Sequence, residues 1–139
     1  MKGVVVSAEK ANPMIAHVEM GQEHFQIDES GLGTGINTGP NPYDYILSAL
    51  GSCTVITLQM YAERKKWPLE RAEVQLEEIK PEKSINNELE KDRRFRIRKK
   101  LKLIGDLNPE QIKRLEDISS RCPVQRSLEA GMLIETILE

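Results

Sequence analysis

Aromatic side chains are scarce. Two phenylalanines, three tyrosines and one tryptophan in 139 residues leave too little ring area for a base-stacking platform. Charge is nearly balanced, −2 from 20 basic and 22 acidic residues. That balance argues against a nucleic-acid partner and against a membrane-surface protein. No apolar run is expected to approach the roughly 20 residues a transmembrane helix needs. Met1-Lys-Gly-Val-Val-Val lacks the length and cleavage site of a signal peptide, so a cytoplasmic location is expected. Cysteine and histidine number two each, without Cys-x-x-Cys or His-x-x-x-His spacing. No metal and no cofactor are therefore expected, and His17 and His24 are expected on the surface of neighbouring strands.

What is present fits one domain, 1–139, with enough residues to bury a core. Residues 2–9, 14–20 and 23–28 are short and rich in Val, Ile and Phe, broken at Asn12-Pro13 and Gly21-Gln22. They predict an N-terminal β-meander over 1–28. Gly31-Leu-Gly-Thr-Gly-Ile-Asn-Thr-Gly-Pro-Asn-Pro42 has glycines but no Lys-Ser or Lys-Thr to complete a phosphate loop, and is expected to be a flexible connector.

A helix is predicted over 43–66, capped by Asn41, with Pro42 in its first turn, and stopped by Trp67-Pro68. At 100° per residue, Ile46, Ala49, Leu50, Cys53, Ile56, Thr57 and Met60 share one face. Val55, Leu58 and Ala62 take the other, where Gly51 permits close approach. A helix apolar on two sides needs covering on two sides, which suggests a homodimer.

The remainder, 71–139, predicts a ββααβ half. Strands at 71–80 and 93–104 flank a turn near Asn86-Asn87. In the second strand, Phe95, Ile97, Leu101 and Leu103 alternate with Arg94, Arg96, Arg98, Lys100 and Lys102, giving a core face and a solvated basic face. Helices follow at Pro109–Ser120 and from Pro123 to Gly131, then a last strand at Met132–Leu138. The order predicts an α+β fold with a mainly antiparallel sheet.

The chemistry rests on two thiols. Only a thiolate is a good nucleophile, so a working cysteine needs something to lower its pKa. Cys122, directly before Pro123, is placed at a helix N-cap, facing unpaired backbone N–H groups, with Arg121 and Arg126 close in sequence. The plain alternative is a half-exposed cap residue. Cys53 lies mid-helix among apolar neighbours, where burial alone makes a thiol inert. Thr57, one turn on, is the polar neighbour its own helix face supplies.

Asn41-Pro-Tyr-Asp, Leu47-Ser-Ala-Leu-Gly-Ser-Cys53, Met60-Tyr-Ala-Glu-Arg-Lys-Lys-Trp-Pro-Leu-Glu70 and Cys122-Pro-Val-Gln-Arg-Ser-Leu128 together resemble the OsmC/Ohr family of thiol peroxidases. The two cysteine motifs stand about 70 residues apart, and the resemblance extends over nearly the whole chain. It implies an OsmC-like fold with antiparallel sheets around a long central helix. It also implies an intertwined homodimer with active sites at the subunit interface, using neither haem nor metal. Cys53 matches the peroxidatic cysteine and Cys122 the resolving one. The chain departs from the family at two points. Tyr43 and Asp44 stand where the family places a glutamate, and no arginine precedes Arg64 to stabilise the thiolate. Asp44 is the carboxylate left in the glutamate's place, half a turn out of phase with Cys53 and so acting only through an intermediary or a bent helix start. Lys2, Lys10, a later arginine such as Arg121, or a partner residue is left to stabilise the thiolate.

The expected function is reduction of organic hydroperoxides or hydrogen peroxide in a stress response. Cys53 and Cys122 would pass through a sulfenic acid and a disulfide, with a thiol or dithiol as reductant. The alternative is a non-enzymatic member of the fold that binds a small apolar or thiol-containing ligand.

Overall fold

The computed structural model of the chain describes residues 3–33, 40–79 and 94–139. It divides into two compact units, Met1–Ile46 and Leu47–Glu139.

The first unit holds β1 (Val4–Glu9), β2 (Asn12–Met20) and β3 (Glu23–Asp28), an antiparallel meander in that order. Gly21 takes φ +62 in the turn between β2 and β3, a conformation open to glycine without steric cost. Val18 is the buried centre of this sheet, opposite Val6 on one side and Phe25 on the other. Phe25 stacks on Tyr45 at 5.5 Å, which ties β3 to the first turn of α1 (Pro42–Lys65). Ser30–Gly33 forms a single 3-10 turn. Residues 34–39 of the expected flexible connector, and the turn near Asn86-Asn87, fall outside the described residues.

The cap of α1 is reciprocal. Asp44 N–H donates to Asn41 Oδ1 at 3.0 Å, and Asn41 N–H donates to Asp44 Oδ2 at 2.9 Å. The Asn41 N–H gains an acceptor, and the Asp44 N–H is shared between Asn41 Oδ1 and the Asn41 carbonyl, 3.0 Å from each. The far end closes with Trp67 N–H on Ala62 O (2.8 Å) and Lys66 N–H on Glu63 O (3.1 Å). This pattern sets Lys66 at φ 58, a left-handed residue that is not glycine. By length and composition alone α1 passes for a membrane-crossing helix, with a mean hydropathy of 1.3 over 18 residues. The run-length reading of the sequence missed this because serines, threonines and a glutamine interrupt the apolar residues.

In the second unit one side of α1 is core: Leu50, Gly51, Thr54, Leu58, Tyr61 and Ala62 are buried. A Cβ added to Gly51 would meet Leu76 Cδ1 at 2.8 Å, so the glycine lets the helix approach β4 (Leu69–Glu78) closely, as the sequence suggested. Strand β4 pairs antiparallel with β5 (Ile97–Gly105). The inward positions are Ala72, Val74 and Leu76 on β4, and Lys99, Leu101 and Leu103 on β5. On the outer face Glu77 meets Arg98 (3.5 Å) and Lys100 (3.6 Å), and Glu73 lies opposite Lys102. The predicted basic face therefore carries its own carboxylates.

Helix α2 (Pro109–Ser119) starts in a capping box between Asn108 and Gln111 and buries Leu115 and Ile118 against Leu58, Tyr61, Ala62 and Leu69. Helix α3 (Pro123–Ala130) ends at Gly131, φ 82. Two strand expectations need correction. Phe95 lies before β5 and is 41% exposed. Met132–Leu138 forms no strand; Leu133, Ile134 and Leu138 are almost fully exposed. A strand needs a neighbouring edge for its N–H and C=O groups, and no edge among the described residues pairs with that segment.

Candidate redox site

Cys122 is the N-cap of α3, with extended backbone angles (φ −66, ψ 141) and Pro123 at the first helical position. Its Sγ accepts the Gln125 N–H at 3.3 Å. A sulfur thus fills the place usually held by a hydroxyl or carboxylate oxygen at a helix start. The sequence allowed a half-exposed cap; instead Cys122 is 0% exposed, because α2 and α3 fold its side chain under towards α1. Cys53, expected deep in the helix, is the half-buried thiol of the pair. Both are free thiols.

A lysine links them. Lys99 Nζ donates to Thr54 Oγ1 at 3.1 Å and to the Ser119 carbonyl at 2.9 Å. Thr54 follows Cys53 in the chain, is fully buried, and places Oγ1 3.9 Å from Cys122 Sγ. Burial pushes the Lys99 ammonium below its ordinary range, while negative charge on Cys122, on Cys53 and on Glu129 pulls it back up. One half-buried cation therefore stands within electrostatic reach of both sulfurs.

The other residues singled out in the sequence lie elsewhere. Arg121 directs its guanidinium to Asp117 at 2.7 Å, on the surface. Asp44 has its carboxylate on the Asn41 N–H. Thr57 is half-buried, and it is Thr54 whose hydroxyl meets Lys99 and Cys122. His17 is half-buried and in contact with Gln26, and His24 is exposed. Lys10 is exposed, and Lys2 lies outside the described residues. No cluster of three or more metal-ligating side chains occurs among the described residues.

Two neighbours complete the surroundings. Gln125 Oε1 is buried without a hydrogen-bond partner among the described residues, an acceptor left open beside Cys122. A cleft of about 410 Å³ runs between β5 and α2, with Leu101, Leu103 and Ile112 on its apolar side and Lys99, Glu116 and Ser119 on its polar side.

The family model described as OsmC-like protein matches residues 33–137, three quarters of the chain and both cysteines. The chain belongs to the OsmC-like family. Solved structures share the fold at low identity. An OsmC-like protein from Mycoplasma pneumoniae is 16% identical, with 91% of this chain and 86% of that one covered and a TM-score of 0.70. An organic hydroperoxide resistance protein OsmC from Legionella pneumophila is 17% identical (91% and 88% covered, TM-score 0.61). The organic hydroperoxide resistance protein OhrB of Bacillus subtilis is 21% identical (89% and 87% covered, TM-score 0.57). No curated protein matches by sequence. Where the resemblance implied an arginine near the thiols, the cation that Thr54 holds next to Cys122, among the described residues, is Lys99.

Proposed function

We propose that this OsmC-like chain is a thiol-dependent peroxidase that reduces organic hydroperoxides or hydrogen peroxide through Cys53 and Cys122. The observation that carries this reading is a buried contact between the segments that hold the two thiols. Thr54, next to Cys53 in the chain, places Oγ1 3.9 Å from Cys122 Sγ and accepts from the Lys99 ammonium at 3.1 Å. Membership of the family, and structural neighbours described as organic hydroperoxide resistance proteins, support it.

In the first step the Cys53 thiolate attacks one peroxide oxygen. The O–O bond breaks, the alcohol or water leaves with a proton, and sulfur is oxidised to a sulfenic acid. Cys53, half-buried, is the thiol a substrate can reach; Cys122, fully buried, is not. Cys122 then attacks the Cys53 sulfur, forming the S–S bond as hydroxide leaves and takes up a proton. A dithiol reductant restores both thiols by exchange and is itself oxidised to a disulfide. Disulfide geometry needs Cα atoms within roughly 7 Å. The start of α3, at the short connection after α2, is the segment whose shift would close any remaining gap.

A homodimer belongs to the same proposal. Ile56 (56% exposed) and Met60 (66%) leave an apolar side of α1 uncovered, and Met132–Leu138 exposes five more large apolar side chains. Such surface is what a second copy would cover. The alternative, binding of a small apolar ligand, has the β5–α2 cleft in its favour.

The enzyme reading is tested by consumption of cumene hydroperoxide with dithiothreitol or dihydrolipoamide. Turnover is expected in the native chain and at background level in Cys53→Ser; equal turnover in both would overturn the assignment.

A further inference from the structure

The Thr54 hydroxyl has one proton and three polar neighbours. Its oxygen lies 2.8 Å from Leu50 O, 3.1 Å from Lys99 Nζ and 3.9 Å from Cys122 Sγ. Leu50 O can only accept and an ammonium can only donate. The proton therefore goes to Leu50 O, one lone pair takes the Lys99 N–H, and the second lone pair faces Cys122. In this state Cys122 is met as a thiol, its S–H directed at Thr54 Oγ1. When that proton leaves, the same geometry offers a different arrangement. Rotation about the Thr54 Cβ–Oγ1 bond turns the hydroxyl proton from Leu50 O to the sulfur. Lys99 keeps the oxygen in place, and the Gln125 N–H already donates to Sγ at 3.3 Å. Helix start, hydroxyl and ammonium then all present positive charge to one sulfur.

The residue types suit this. Lys99 is held on two sides, by Thr54 and by the Ser119 carbonyl, so its charge is fixed in position. It sits at an inward position of β5, opposite Leu76 on β4. A charge there is desolvated, and it persists only if something at the site repays that loss. The Thr54 hydroxyl and the Ser119 carbonyl do so in part. The negative sulfur that forms during reaction supplies the rest.

We infer that Lys99, acting through Thr54, is the positioning residue that makes Cys122 a resolving thiol. This rests on the peroxidase reading above and deepens it, by assigning the cation to the second step. That step is the attack of the Cys122 thiolate on the Cys53 sulfenic acid. The S–S bond forms and the S–O bond breaks. The departing hydroxide takes a proton and leaves as water, and the peroxide already reduced at Cys53 is the only oxidant consumed. Lys99 and Thr54 form no bond to the reacting atoms.

The inference is tested by single turnover on the full chain. One equivalent of cumene hydroperoxide is added, and the Cys53 sulfenic acid is followed by dimedone trapping while the disulfide is followed by intact mass. Once the sulfenic acid has formed, Lys99→Met is expected to convert it at least about tenfold more slowly than the native chain, the effect of removing one charged hydrogen-bonding partner. Thr54→Val should do the same, and Thr54→Ser should restore the native rate. Lys99→Arg keeps the charge at all working pH values and should also restore it.

The pH profile separates positioning from mere structure. The charged and titratable groups around Lys99 are Cys53 on α1, Cys122 at the start of α3, Glu129 on α3 and Glu116 on α2. As pH rises and Lys99 loses its proton, the native advantage over Lys99→Met should shrink. In Lys99→Arg it should persist. Resolution as fast in Lys99→Met and Thr54→Val as in the native chain would overturn the inference while leaving the peroxidase reading intact. Absence of any sulfenic acid in the native chain would overturn both.

Discussion

Lys99 stands inside the second unit with its ammonium 3.1 Å from Thr54 Oγ1, at a strand position whose neighbours in phase are Leu101 and Leu103. Its charge is buried at a cost, and the pH dependence of stability should show it. Burial holds the folded-state pKa of Lys99 below its unfolded value, so between those two values the unfolded chain binds more protons. Stability contributed here is therefore lowest below the folded pKa and rises as pH climbs towards the unfolded one. Denaturant titrations across the alkaline range should show this rise in the native chain and not in Lys99→Met. A parallel pH dependence in both would remove the desolvated charge from the account.

Lys66 closes α1 in the left-handed conformation at φ 58, and its side chain is exposed. Glycine meets no Cβ strain there, and relief of that strain outweighs the added freedom of the unfolded chain. Lys66→Gly should raise stability by about 0.5–1 kcal/mol, read as a higher denaturant midpoint at unchanged slope. A loss of stability would contradict the cap as described.

Gly105 ends β5 at φ +152, and a Cβ added there would collide with the Pro68 carbonyl oxygen. Gly105→Ala should therefore destabilise by on the order of 3 kcal/mol, combining backbone strain with overpacking. Thermal unfolding measures it; a midpoint close to that of the native chain would show that the β4 start can move away freely.

Leu58 and Leu115 are both fully buried and share one core. Truncating either to alanine should cost about 2–5 kcal/mol, and because the two share that cluster the double variant should depart from additivity. Equilibrium denaturation of the two single variants and the double variant decides this; near-native stability of either single variant would place the core elsewhere.

The proposed homodimer would cover the exposed apolar side chains of α1 and of Met132–Leu138. Light scattering at micromolar concentration should report about twice the 15.8 kDa chain mass. A monomer with those side chains exposed would contradict the proposed assembly.

Much of this architecture was legible in the sequence, because local signals and tertiary packing agree. Asn41-Pro42, Asn108-Pro109 and Cys122-Pro123 each mark the helix start that forms. The Cys122 cap was visible for the same reason. What escaped was Lys99. It occupies the phase of Ile97, Leu101 and Leu103 on β5, so a cation in an otherwise apolar alternation was the available signal, overlooked beside the arginines and lysines of the opposite phase. Thr54 escaped because it lies off the helix face of Cys53, one residue round the helix on the buried side. Arg121 was misplaced because nearness in sequence to Cys122 says nothing about Asp117, four residues back and on the same turn of surface. Met132–Leu138 has the composition of a strand but no edge among the described residues to join.

The central claim is that Cys53 and Cys122 are one redox pair, and intact mass after one equivalent of hydroperoxide tests it most directly. The account predicts a loss of two hydrogens in the native chain, reversed by dithiothreitol and absent in both Cys53→Ser and Cys122→Ser, with Cys122→Ser stopping at the gain of one oxygen. A native chain that shows no mass change, or the same change in either serine variant, would contradict it.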